Sequence, residues 1–153
     1  MRLLDYLNED AVAVGLESED KASTLAKLVG LAAKRGFIRD SDRLLTALRQ
    51  REEVVSTGVG NGVAIPHADL PEIESPRLAL GVFPHGVDFE ALDEEPVYVV
   101  FLLMGTPRTP GLHMKILARI ARLSKDPDFA PGLCRAADAD EALRVLEHIE
   151  ERH

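Results

Sequence analysis

An unbroken run of eight apolar residues at positions 97–104 constrains the fold of this chain more than any other segment. Apolar side chains at every position are typical of a central β-strand that is covered on both faces. The run is far shorter than the about 20 residues of a membrane-spanning helix, so we expect no direct membrane insertion. Residues 97–104 therefore predict a sheet that lies between two other layers.

The segments around this strand have the patterns of short strands and amphipathic helices. Further strands are predicted at 11–16, 63–65 and 78–83, and helices between Ser18 and Gly36, after Asp40, at 112–125, at 129–136 and after Asp138. Only about a dozen residues separate the strands at 78–83 and 97–104, which is short for a helical crossover and favours an antiparallel pair. The sequence thus predicts one α/β domain over residues 1–153, a mixed β-sheet flanked by helices on both faces.

Several of the predicted helices carry recognisable end signals. Ser18 is expected to cap the first helix, and Gly36 to end it. Asp40 is expected to cap the second helix, and the pair Asp138 and Glu141 has the spacing of a capping box for the last one. These signals predict where the helices begin.

The charge balance bears on the kind of partner. Among 153 residues, 26 are acidic and 18 are basic, which gives a formal net charge of −8. Because a negative surface repels the phosphate backbone, we expect no nucleic acid partner. The single cysteine, Cys134, excludes an internal disulfide and a cysteine-rich zinc site. The N-terminal residues lack the apolar core of a secretory signal, so we expect a cytoplasmic protein.

A glycine-rich stretch at residues 56–67 carries the most functional information. Its glycines, Gly58, Gly60 and Gly62, can adopt left-handed backbone angles and approach another group closely. The spacing matches neither a dinucleotide fingerprint nor a P-loop. The glycines are therefore compatible with a cradle for phosphate or with an ordinary tight turn, and the turn is the commoner use.

His67 follows this stretch directly after Pro66. The proline ring fixes φ and favours an extended residue before it, so His67 should project from the end of a strand with little freedom. A histidine held in this way suits group transfer, which depends on the position of the reacting atom. The alternative is a structural histidine that only bonds a nearby carbonyl.

Two further side chains are candidates for the same site. His113 begins the predicted helix at 112–125 and shares an inward face with Ile116 and Ile120, beside free N–H groups that attract anions. Arg51 ends the helix before the glycine stretch and carries a permanent positive charge suited to phosphate oxygens. By periodicity alone, His113 is equally compatible with a core histidine, and Arg51 with a solvated surface arginine.

Taken together, these segments resemble the EIIA domain of the fructose/mannitol class of the phosphoenolpyruvate-dependent phosphotransferase system, and most of all its single-domain, nitrogen-regulatory members. The resemblance lies in Arg51 and Glu52, in residues 56–67, and in a second block at 112–121. It implies an α/β sandwich, in agreement with the pattern of strands and helices. The sequence differs from the family at two places. Residues 105–111 form a proline-rich loop that matches no family pattern, and Asn61 stands where some relatives have an acidic residue.

The resemblance implies a role for each candidate residue. His67 would be the phosphorylated histidine, His113 the second active-site histidine and Arg51 the phosphate-binding arginine. As a separate hypothesis, we expect backbone N–H groups of the glycine stretch to assist as a phosphate loop, formed by Thr57, Gly58, Gly60, Asn61 and Gly62. No cofactor and no metal are implied. The partners would be an HPr-type phosphocarrier, and either an EIIB sugar component or a regulatory target protein.

Two other functions are compatible with the same sequence. The first is a binding regulator that acts largely independently of phosphotransfer, which would share every motif above. The second is a metal-dependent hydrolase that uses His67, Asp69 and His113, although the His-x-Asp spacing is common and lacks a compact third ligand. A stripe of basic residues on the helix at 112–125, Lys115, Arg119 and Arg122, is either a solvated face or a docking surface.

Overall fold

The computed structural model describes residues 1–54 and 56–153. The strands in this part of the chain are β1 (Val12–Ala13), β2 (Gly58–Gly60), β3 (Val63–Ala64), β4 (His67–Asp69), β5 (Arg77–Val87) and β6 (Val97–Gly105). The helices are α1 (Lys21–Lys34), α2 (Ser41–Val54), α3 (Pro110–Leu123), α4 (Phe129–Arg135) and α5 (Ala139–Arg152). The order of strands and helices confirms the predicted α/β class.

All six strands belong to one mixed sheet, in which β6 is central. The spatial order is β1-β5-β6-β3-β2, and β4 pairs with β6 beyond the end of β3. β6 is antiparallel to β5 and parallel to β3 and β4. Every residue of β6 except Tyr98 is buried. The predicted central strand and its antiparallel pairing with the preceding strand are therefore confirmed.

Helices cover the sheet on both faces. Gly81 of β5 pairs with Val100 of β6, so the two residues face the same side of the sheet. A side-chain carbon placed on Gly81 would meet Leu28 of α1, which shows that α1 covers this side. The next residue of β6, Phe101, points to the opposite face. There its ring centroid lies 6.1 Å from that of Phe129 in α4. Side chains of the run at 97–104 point alternately to the two faces of the sheet. Helices cover both faces, so the whole run is apolar.

The first helix begins at a different cap from the predicted one. Asp20, not Ser18, is the N-cap of α1: its backbone is extended and its carboxylate accepts a hydrogen bond from the N–H of Ser23 at 2.8 Å. The hydroxyl of Ser18 instead donates to the carbonyl of Asp20 at 3.2 Å. The predicted end is close to the observed one, because Gly36 adopts a positive φ of 74° two residues after α1 ends.

Asp40 and Asp138 are confirmed as caps, whereas Glu141 departs from the predicted capping box, because its carboxylate accepts from the N–H of Ala137 at 2.9 Å and not from that of Asp138. The carboxylate of Asp40 accepts from the N–H of Arg43 at 3.0 Å, and that of Asp138 accepts from the N–H of Glu141 at 2.8 Å. α3 begins two residues earlier than predicted, with Pro110 at its first position, where a missing N–H costs no hydrogen bond. The end of the proline-rich loop is therefore already helical.

No helix in the described ranges combines the length and the apolar character needed to cross a bilayer.

Candidate functional site

His67 and Asp69 lie on one face of the short strand β4. β4 pairs with the C-terminal end of β6, where His67 is opposite Leu103 and Asp69 is opposite Gly105. Because alternate residues of a strand share a face, both side chains point to the same side of the sheet. The carbonyl of Pro66 accepts from the N–H of Leu103 at 2.9 Å, which fixes the backbone immediately before the histidine.

One nitrogen of the His67 ring is engaged and the other is available. Nδ1 lies 2.7 Å from the carbonyl oxygen of Ile65. A carbonyl can only accept, so Nδ1 carries the hydrogen, and the neutral ring has its lone pair on Nε2. The side chain is half-buried, so the ring is held by the protein without being enclosed. This geometry suits a nucleophilic Nε2.

The surroundings of His67 favour the neutral ring. Burial is the largest cause that lowers its pKa from the ordinary 6.5, and the positive charges of His113 and Arg51 lower the pKa further. The hydrogen bond to Ile65 and the negative charge of Glu52 act in the opposite direction, and the net pKa shift is downward. At neutral pH the Nε2 lone pair is therefore free to attack an electrophile.

His113 packs against His67. The ring centroids are 5.2 Å apart, and the planes meet at 75°. Nδ1 of His113 also lies 3.0 Å from Oδ1 of Asp69, with only 12% of the His113 side chain exposed. The Nδ1–H is not aligned with that oxygen as a hydrogen bond requires, so the contact between the two groups is electrostatic. Sequence reasoning considered Asp69 only as a metal ligand and missed this contact.

Gly105 of β6 provides the space in which Asp69 and His113 meet. A side-chain carbon at this position would overlap both Asp69 Oδ1 and His113 Nδ1. Because nothing in the local sequence distinguishes this glycine from an ordinary strand end, its role was not predicted. This role of Gly105 arises from the register of β4 against β6, which places Asp69 opposite Gly105.

Arg51 lies within electrostatic reach of His67. It occupies the last turn of α2, is half-buried, and its charge lowers the pKa of His67. α2 packs against β4, the strand that carries His67. The three residues predicted from the sequence, His67, His113 and Arg51, are thus gathered around the C-terminal end of β6.

Glu52 anchors the chain that leads to His67. Its buried carboxylate accepts from the N–H of Thr57 at 3.1 Å and from the Thr57 hydroxyl, and it forms an ion pair with Lys21 at 3.1 Å. The carbonyl of Thr57 in turn accepts from the N–H of Ile65 at 3.0 Å. Glu52 therefore stabilises, through Thr57, the segment whose carbonyl holds the His67 ring.

The position of Glu52 on α2 is a sequence feature that predicts its burial. Leu44 and Leu48 are buried on the inner face of α2, and Glu52 continues the same spacing of four residues. A carboxylate in line with an apolar stripe is expected to be buried and to require partners.

The glycine-rich stretch forms a β-hairpin between β2 and β3. Asn61 and Gly62 occupy its two-residue turn with φ of 57° and 74°, signs that match a type I′ turn. The carbonyl of Gly62 in the turn accepts from the N–H of Val99 of β6, four residues before Leu103, which is the partner of His67. At about 3.3 Å per residue, the turn is about 13 Å from His67 along β6.

The predicted phosphate loop is thus divided by the structure. Thr57 and Gly58 lie beside the segment that leads to His67, since Gly58 pairs with Ala64. Gly60 at the end of β2 and the turn residues Asn61 and Gly62 lie at the distant end of the hairpin, and the structure does not bring them to the histidine. These three residues therefore form part of a tight hairpin and not a phosphate cradle beside His67.

The proline-rich loop at 105–111, which matched no family pattern, is held by an arginine. The guanidinium of Arg108 donates to the carbonyls of Pro71 and Ile73 at 3.2 and 3.1 Å, and to the hydroxyl of Thr106 at 3.3 Å. The loop before His113 is thereby tied to the loop that follows Asp69.

The basic stripe on α3 is smaller than the sequence predicts. Arg119 is largely buried and paired with the carboxylate of Glu150 at 3.2 Å, which also accepts from the N–H of Leu3 at 2.8 Å. Lys115 and Arg122 remain exposed. Arg119 therefore ties α3 to α5 instead of contributing to a surface.

No group of three or more His, Cys, Asp or Glu side chains in residues 1–54 and 56–153 is arranged to hold a metal ion.

Residues 5–149 match the family model described as phosphoenolpyruvate-dependent sugar phosphotransferase system, EIIA 2. The chain is 36% identical to a nitrogen regulatory protein of Bradyrhizobium diazoefficiens over 147 residues, which cover 95% of each protein. It is 29% identical to the fructose-specific EIIABC component of Bacillus subtilis over 95% of its own length, but spans only 23% of that relative.

The fold is shared with a solved nitrogen-regulatory protein. The crystal structure of IIA-Ntr from Neisseria meningitidis superposes with a TM-score of 0.85 at 25% identity, covering 93% of this chain and 97% of the other.

Proposed function

Because the chain belongs to the EIIA 2 family of the phosphoenolpyruvate-dependent sugar phosphotransferase system, we propose that it is a histidine phosphocarrier whose acceptor atom is Nε2 of His67. The observation that carries this proposal is the 2.7 Å contact between Nδ1 of His67 and the carbonyl of Ile65. This contact selects the tautomer with a free lone pair on Nε2. Family membership supports a phosphotransferase component, and the ring geometry supports this particular acceptor.

The transfer step follows from this tautomer. The Nε2 lone pair attacks the phosphorus of a phosphohistidine on the donor protein, an N–P bond forms at His67, and the electrons of the old N–P bond return to the donor ring. Nδ1 keeps its hydrogen, which stays bonded to Ile65. The phosphorylated ring is then cationic, so it remains a good leaving group for the next transfer.

The neighbouring side chains have distinct parts in this step. Charge spreads over three phosphoryl oxygens as the group moves in line between two nitrogens. Arg51 and His113, whose charges already act on His67, are proposed to stabilise those oxygens. Asp69 is a positioning residue, since it contacts His113 and not the reacting nitrogen. No step requires a cofactor.

The proposed donor is an HPr-type phosphocarrier, and the proposed acceptor is an EIIB component or a regulatory target. A half-buried ring at the end of a strand can be reached by another protein's histidine without unfolding of the site. The similarity to proteins named nitrogen regulatory protein supports a regulatory target. The cytoplasmic location expected from the sequence remains a prediction.

Phosphorylation of purified protein tests the proposal. Wild type, His67→Ala and His85→Ala are incubated with phosphoenolpyruvate and the two general phosphotransferase proteins, and bound phosphate is measured by phosphorus NMR. His85 is an exposed histidine on β5 and serves as the matched control. We expect stoichiometric phosphate on wild type and His85→Ala and none on His67→Ala. Stoichiometric labelling of His67→Ala would overturn the assignment.

The second candidate is a regulator that acts largely independently of phosphotransfer, and the similarity to a protein named nitrogen regulatory protein supports its regulatory part. The two are separated by capturing partners with phosphorylated wild type and with His67→Ala. A partner retained equally by both proteins would support the second candidate.

A further inference from the structure

A groove at the opposite end of the sheet from His67 has no part in the proposed transfer. Its volume is about 500 Å³, and it lies between the turn of the β2–β3 hairpin, the start of β6 and α4. Its walls include Tyr98, Asp93, Glu95, Pro96 and Ala130. Tyr98 is five residues from Leu103, the partner of His67, which corresponds to about 17 Å along β6. We call this cavity the distal groove.

The ring of Tyr98 forms a flat wall of the distal groove. A side-chain carbon on Gly62 would lie 3.0 Å from one edge of the ring, and one on Gly86 would lie 3.1 Å from the opposite edge. The ring therefore lies between two glycines on either side of β6, Gly62 in the β2–β3 turn and Gly86 on β5. Since the side chain is only half-buried, the ring also borders the open groove. Aromatic faces attract cations, and arginine most often.

The rim of the distal groove is acidic. Two exposed carboxylates, Asp93 and Glu95, line it, and the same loop between β5 and β6 carries three more at Asp88, Glu90 and Glu94. None of them forms an ion pair with any other residue in the described ranges. Among the described residues, no lysine or arginine lines the groove. Leu92, in the same loop, is 72% exposed.

From this combination we propose that the distal groove docks a basic amphipathic segment of a partner protein. A cationic side chain of the segment lies against Tyr98 between the carboxylates of Asp93 and Glu95, and an apolar neighbour packs on Pro96 and Ala130. Charge complementarity selects this occupant, because an apolar groove with an unpaired acidic rim repels an acidic or phosphate-bearing one. The net charge of −8 steers basic partners in the same direction.

The position of the groove gives the interaction a defined relation to phosphotransfer. The groove and His67 are at opposite ends of β6, so a segment bound in the groove leaves the histidine accessible. The docking inference does not depend on the phosphocarrier proposal. It predicts a partner that binds whether or not His67 carries phosphate.

Peptide binding tests the inference. The probe is a fluorescent 12-residue peptide of alternating arginine and leucine, and its matched control has citrulline, the neutral analogue, in place of arginine. Binding is measured by anisotropy, and the site is mapped by amide NMR shifts. The test variant is Asp93→Asn with Glu95→Gln. The control variant, Glu74→Gln with Glu151→Gln, changes the net charge equally at two exposed positions elsewhere.

We expect shifts confined to the residues of the distal groove. The groove variant and the citrulline peptide should each weaken binding about tenfold or more, the loss expected for desolvated charged contacts, whereas the control variant stays within about twofold. Phosphorylation of His67 should be unchanged in the groove variant. Shifts centred on another surface, equal loss in both variants, or equal affinity for the citrulline peptide would each overturn the inference.

Discussion

Nδ1 of His113 lies 3.0 Å from Oδ1 of Asp69, at the point where β4 and β6 bring a glycine backbone beneath both side chains. This pair fixes the orientation of the ring that packs against His67. An aligned hydrogen bond is absent between the two groups, so the attraction between them is electrostatic.

Gly105→Ala should displace this pair. The added methyl group would overlap both Asp69 and His113, so we expect a loss of about 1–3 kcal/mol in the free energy of unfolding and a slower phosphorylation of His67. Denaturant melts and transfer rates measure the two effects. Gly30→Ala is the control, since open space surrounds Gly30 within α1 and the change should stabilise by about 0.5–1 kcal/mol. Wild-type transfer by Gly105→Ala would mean that the pair has no effect on the reaction.

His113→Ala should slow phosphoryl transfer about 10²-fold or more while the protein stays folded, because a donor aimed at the transferring oxygens is lost. Rapid-quench kinetics with the phosphorylated donor protein measure the rate. Asp69→Asn, which removes the charge but keeps the shape, should have a smaller effect in the same assay. Unchanged transfer by His113→Ala would assign His113 a structural role.

The lowered pKa of His67 predicts the pH dependence of phosphate acceptance. Only the neutral ring is nucleophilic, so the rate should fall with acidification at a pH below the 6.5 of an ordinary histidine. A single-turnover pH profile, together with NMR titration of the ring, measures this pKa. A midpoint at or above 6.5 would contradict the effect of burial.

The same shift affects stability with a defined sign. Between pH 6.5 and the lower folded-state pKa, the unfolded chain binds the His67 proton more readily than the folded protein does, so wild type loses stability as the pH falls through this window. Above the window, His67 contributes nothing to the pH dependence. His67→Gln should lose less stability than wild type over the same range, which urea melts at pH 7 and pH 5 compare.

Glu52→Gln should destabilise the segment before His67. The substitution removes the charge that pairs with Lys21 and weakens the hydrogen bonds from Thr57, at a cost of about 2–4 kcal/mol for a buried paired group. Glu53→Gln, at an exposed neighbouring position, should change stability by less than about 0.5 kcal/mol. Hydrogen exchange at Ile65 should increase in Glu52→Gln only. Equal stability of the two variants would exclude this anchoring role.

Local patterns were sufficient for much of the fold. The apolar run at 97–104 predicted the central strand because every position of a strand covered on both faces must be apolar. Asp40 and Asp138 predicted helix starts because a cap acts within three residues of itself. The exception was the first helix, where Ser18 and Asp20 both carry capping oxygens and the extended backbone at Asp20 decided between them.

The sequence by itself determined that His67 follows a rigid proline at a strand end, since that depends only on adjacent residues. Only the tertiary structure decided that Asp69 and Gly105 meet His113, that Glu52 holds Thr57, and that the glycine turn lies far from the histidine. These relationships depend on the register of β3 and β4 against β6, where a shift of one residue would turn each side chain to the other face. Such a register is fixed by packing over the whole sheet, and no short segment of the sequence encodes it.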